Sequence, residues 1–115
     1  MSDRVLTWFV EGIDRDGTTQ GPTFTLDQDY GLPGRVNLQA GQAPDADDVI
    51  IDIKDDGVSI FTRQPRLKKG HTSDWWEEFN FALSKMEKDS LVSLDVVQSG
   101  GVKRLTVELE LDKDE

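Results

Sequence analysis

Residues Leu105–Leu111 read Leu-Thr-Val-Glu-Leu-Glu-Leu, so every second side chain is apolar and each one between is polar. That period matches a strand with one face buried and one face wet, and no helix sustains it. The same dyad recurs along the chain. Val36, Leu38 and Ala40 alternate with Asn37 and Gln39, and Val92, Leu94 and Val96 alternate with Ser93, Asp95 and Val97. Val49, Ile51 and Ile53 alternate with Ile50, Asp52 and Lys54, while Phe24 and Leu26 sit among Thr23, Thr25 and Asp27. Val5–Val10 is apolar on both sides apart from Thr7. This predicts a strand covered on both faces or lying in an interface, with Val5 and Phe9 in the core and Trp8 and Val10 available to an interface.

Turn chemistry separates these runs. Asp14-Arg15-Asp16-Gly17 and Gly31-Leu32-Pro33-Gly34 are expected turns, and Ala43–Asp48 an expected loop. The Asp56-Gly57 step favours positive φ and predicts a hairpin between Ile50–Ile53 and Val58–Thr62. Gln98-Ser99-Gly100-Gly101 is expected to join the last two long strands in the same way. Strands punctuated at this spacing point to an all-β sandwich or barrel, and an antiparallel sandwich is the architecture expected here. Residues 75–88 carry both periods: Trp75, Trp76, Phe79, Ala82, Leu83 and Met86 fit a helical face, while Phe79, Phe81 and Leu83 fit a strand. Neighbouring strands favour a strand over Phe79–Leu83, with at most one short helical turn elsewhere in 75–88.

The 115 residues make one domain, 1–115, whose loose ends are expected at Met1–Asp3 and Asp112–Glu115. The expected core comprises Val5, Phe9, Phe24, Val36, Leu38, Ile51, Ile53, Ile60, Phe61, Leu94, Val96, Leu105, Val107 and Leu109.

The chemistry available to such a domain is narrow. With no cysteine, disulfides, thiol nucleophiles and thiolate metal sites are excluded. A single histidine, His71, excludes multi-histidine zinc sites, and Ser73 and Asp74 lie too close to it in sequence to complete a triad. There is no G-x-S-x-G and no phosphate-binding glycine motif. Thirteen Lys and Arg against 23 Asp and Glu give a net charge of −10, which opposes nucleic acid and anionic membranes. MSDRVLTW carries no basic region followed by a long apolar run, which predicts no export signal. Asp45, Asp47, Asp48, Asp52, Asp55 and Asp56 are close in sequence but lack the spacing of a calcium loop, and read as solvated turns. No cofactor, metal or catalytic residue is therefore expected.

What remains is surface. Trp75 and Trp76 are adjacent, so in a strand they point to opposite faces: either both are buried, one in each layer of a two-layer fold, or one anchors a partner or stacks on a sugar. Arg63, Arg66, Lys68 and Lys69 form the basic patch of an otherwise acidic chain. The candidate interface residues are Trp8, Val10, Arg63, Arg66, Trp75 and Trp76.

Three stretches resemble a known module. Gln42-Ala43-Pro44-Asp45 leading into Val49–Phe61 is similar to the "aP…(I/V)VDI…(N/D)G(T/V)SIF" stretch of a small β-sandwich module in tailed-bacteriophage structural proteins. Lys88–Gly101 resembles its "GD.LtvDi.qvGs" stretch, and Leu105–Leu111 its closing "dLTV.L.L" strand. Trp8–Gly12 and Gly21–Phe24 fit a form with an N-terminal extension. Lys88-Asp89 departs from the usual Gly-Asp, and the charged Trp75–Glu78 stretch is inserted. The resemblance implies a jelly-roll-like fold and a non-enzymatic role in a virion as a capsid decoration, tail or fibre protein. It implies synthesis in the host cytoplasm and assembly with other virion proteins or with copies of itself, most often as a trimer. The alternative is a carbohydrate-binding or host-adhesion module that takes a glycan receptor through exposed Trp residues.

Overall fold

The computed structural model describes residues 4–12, 17–77, 82–83 and 85–113, leaving aside the side chains at 18, 32–34, 76, 77 and 113. Among the described residues ten strands follow one another: β1 (Arg4–Val10), β2 (Thr18–Thr25), β3 (Tyr30–Gln42), β4 (Val49–Asp55), β5 (Val58–Ser59), β6 (Arg66–Leu67), β7 (Ser73–Glu77), β8 (Lys85–Met86), β9 (Leu91–Gln98) and β10 (Lys103–Lys113). They build two antiparallel sheets. One has the order β1-β10-β3-β7, with β8 also on β3; the other has the order β2-β9-β4-β5, with β6 also on β4. Setting aside β6 and β8, which pair off the main path of each sheet, the first sheet takes the first, eighth, third and sixth strands and the second takes the second, seventh, fourth and fifth. That interleaving is jelly-roll topology.

The inner faces meet as the dyads require. Leu105, Val107, Leu109 and Leu111 of β10 and Val36 and Leu38 of β3 face Ile51 and Ile53 of β4 and Val92, Leu94 and Val96 of β9, all fully buried. Ile60 and Phe61 are buried as well, and Phe24 packs partly buried against the cluster. β1 has the opposite parity from the expected one. Leu6, Trp8 and Val10 are buried, while Val5 is 46% and Phe9 54% exposed. The cause is local to one edge. Trp8 donates its indole N–H to the Pro22 carbonyl at 2.8 Å and meets Phe24 edge-on at 5.3 Å, closing the first sheet onto the second. Thr7, the one polar residue in the run, shares the outward face with Val5 and Phe9.

Several connections also differ from expectation. Asp14–Asp16 of the first expected turn lie outside the described residues. The Gly31–Gly34 stretch is no turn but part of β3, at an irregularity where Arg35 pairs with Glu110 and Gly31 with Asp112. Extra backbone on one strand there acts as a bulge. β10 itself runs on through Asp112 and Lys113. The Asp56-Gly57 hairpin forms, with φ of 50° and 83°, both positive as a type I′ turn needs. Gln98–Gly101, by contrast, makes no hairpin: β9 and β10 belong to different sheets, and the turn carries the chain across the sandwich. Gly100 there has φ 58°, and a Cβ on it would land on the Asp47 carbonyl, so only glycine fits. Of the strand expected over Phe79–Leu83, residues 79–81 lie outside the described ones, and Ala82 and Leu83 are not in a strand. The described part of 75–88 holds the end of β7 and all of β8, with no helical turn.

Candidate functional site

A groove of about 680 Å³ opens on the outer side of the first sheet, where β7 lies beside β3 and the β6 segment rises next to them. Register aligns the outward positions. Gln39 pairs with Ser73 and Asn37 with Trp75, while Arg35 stands one pleat further along β3. Arg66 and Lys68 supply the facing wall, flanking the buried Leu67. Asp74 fixes that wall in place by accepting the Lys68 backbone N–H at 2.9 Å.

Trp75 is 60% exposed, and the Arg35 guanidinium lies 4.3 Å from its ring centroid. A cation stacked on an indole face holds both side chains in one geometry. Behind this pair, Arg35 reaches Glu110 at 3.9 Å, and Asn37 donates its amide to the same carboxylate at 3.5 Å. Arg66 reaches Asp48 at 3.8 Å. The groove therefore combines one aromatic ring, two amides, a hydroxyl, three cations and the carboxylate of Asp74.

Of the six candidate interface residues, the structure brings Trp75 and Arg66 together at this groove. Arg63 is exposed and does not line it. Trp8 and Val10 belong to the core. The backbone of Trp76 pairs with Val36, but its side chain is outside the described ones. Arg35, Asn37 and Gln39 were not singled out by sequence; the polar half of the β3 dyad marked them as outward but could not say that β7 pairs beside them.

The acidic loops do other work. Asp48 accepts the Lys69 N–H at 2.8 Å, Asp56 accepts the Leu91 N–H at 2.9 Å, and Asp52 accepts the Ser59 hydroxyl at 2.6 Å. The backbone N–H groups of Asp45 and Ala46 both bond to the Gly100 carbonyl. Among the described residues, no three His, Asp or Glu side chains converge on a point that could hold a metal ion. His71 Nδ1 lies 3.2 Å from both oxygens of Asp74 in an exposed turn.

The sequence matches no family model, and no curated protein is similar to it.

Proposed function

We propose that the chain is a non-enzymatic structural component of a bacteriophage particle. It acts through protein–protein contacts with other virion proteins or with copies of itself. The observation that carries this reading is the outer face of β1, an edge strand that leaves Val5 and Phe9 exposed beside Thr7. Exposed apolar side chains on a sheet edge invite a partner, since the edge also offers unpaired backbone groups. The jelly-roll topology and the sequence resemblance at Val49–Phe61, Lys88–Gly101 and Leu105–Leu111 support the same reading. A trimer assembled in the host cytoplasm and carried in the virion is its most specific form. Light scattering tests it: wild type should be oligomeric, and Phe9→Lys should shift toward a folded monomer whose melting temperature, unlike that of wild type, does not rise with protein concentration. A wild type that is monomeric at every concentration would overturn the self-assembling form.

A second reading rests on a different observation, the exposed Trp75 in its groove. An indole face flanked by amides and guanidinium groups suits a sugar ring, whose C–H face stacks while its hydroxyls find donors and acceptors. In this reading the module adheres to a glycan receptor. A glycan array probed with wild type and Trp75→Ala checks it: binding that depends on Trp75 supports it, and no binding to any glycan ends it.

A further inference from the structure

The groove is cationic on a chain of net charge −10. Arg35, Arg66 and Lys68 gather there although acids outnumber bases 23 to 13 overall. Arg35 and Arg66 touch their carboxylate partners only at 3.9 and 3.8 Å, beyond good hydrogen-bonding distance. Among the described side chains, these contacts leave guanidinium donors on both for an incoming acceptor.

We propose that this groove takes a sugar carrying a single carboxylate, of the sialic or uronic acid class. The inference rests on the glycan-binding reading and specifies its ligand. Trp75, which is 60% exposed with Arg35 over one face of its indole, supplies the other face as the stacking platform, with Asn37, Gln39 and Ser73 placed to meet hydroxyls. Arg66 and Lys68, on the facing wall, take the carboxylate with Arg35, by the charge-assisted bonds that guanidinium and ammonium groups make best.

Charge selects a monoanion over the alternatives. Asp74 offsets one of the three cations that line the groove, and Glu110 and Asp48 stand behind Arg35 and Arg66, so the lining keeps only a small positive excess. One carboxylate is matched there, whereas a polyphosphate brings more negative charge than the cations offset.

The test is a glycan array holding neutral, sialylated, uronic-acid and sulfated glycans, together with methyl esters of the carboxylated ones. Wild type should bind the carboxylated glycans, with about tenfold or greater loss on esterification, on Trp75→Ala and on Arg66→Gln. Arg63→Gln, outside the groove, should bind as wild type does, and thermal melts should show every variant folded. Equal binding of neutral glycans, preference for sulfated ones, or indifference to Arg66→Gln overturns the carboxylate assignment while the glycan reading stands. Absence of binding to every class removes both.

Discussion

The hydroxyl of Ser59 donates to the buried carboxylate of Asp52 at 2.6 Å, and the Phe61 backbone N–H in turn donates to Ser59 Oγ at 3.2 Å. Asp52 is 4% exposed, so the donor it would lose is not readily replaced by water. Ser59→Ala should therefore cost about 1–3 kcal/mol, the penalty of stranding a buried acceptor. At roughly 4 °C per kcal/mol for a chain of this length, the fall in melting temperature is easily measured. The double variant Asp52→Ala, Ser59→Ala should lose less than the two single losses added together, because neither partner is then left unmatched.

The crossing at Gly100 has no tolerance for a side chain. Gly100→Ala combines a left-handed backbone angle with a collision against the Asp47 carbonyl. The expected loss is about 2 kcal/mol or more. Gly57→Ala, at φ 83° but with open space around its α-carbon, should cost less. Denaturant midpoints of the two variants measure the difference.

Parity along β1 predicts opposite outcomes for neighbours in sequence. Trp8→Ala should lose about 3–5 kcal/mol, because the indole fills the closed edge and its N–H bonds Pro22. Phe9→Ser, on the exposed side, should change the stability of the monomer by no more than about 0.5 kcal/mol. Thermal melts at low protein concentration separate the two.

Acid should act through two exposed carboxylates. The Tyr30 hydroxyl, with Arg4 assisting, holds Asp27 below its ordinary value of 3.8, and the Lys88 backbone N–H and Lys85 do the same for Asp29. Groups lowered by folding stabilise above the unfolded value, so this contribution is lost as pH falls below about 3.8. Asp55 has the opposite sign. Burial raises its pKa, with Asp56 and Glu87 adding repulsion against the opposing Ser90 hydroxyl. Its ionisation therefore weakens the fold as pH rises through its folded-state value. The melting temperature of Asp55→Asn minus that of wild type should grow between about pH 3 and pH 7, while Asp29→Asn should lose its disadvantage at the acid end.

Much of the sandwich was legible because burial enforces a period of two. Val107 and Ile51 sit where the alternation put them, since a one-residue slip would turn a whole row of side chains into water. β1 was misjudged because apolar residues on both faces erase that signal; only Thr7 marked the wet side. The Gly100-Gly101 turn chemistry was read correctly but its reach was not, because a local sequence shows that a chain turns, not which sheet it enters. The groove was half legible. Trp75 and Arg66 stand out by residue type, whereas Arg35, Asn37 and Gln39 gain meaning only from the pairing of β3 with β7.

β10 lies between β1 and β3, with Leu109 opposite Leu6 on one side and Val36 on the other. β10 follows both β1 and β3 in sequence, so it leaves the ribosome after the two strands that it joins. Until it emerges, Leu6, Val36 and their neighbours have no cover, and a nascent or truncated product ending before Lys103 presents two open strand borders to other chains. Solubility during synthesis is then governed by how soon β10 emerges and by what shields those borders meanwhile.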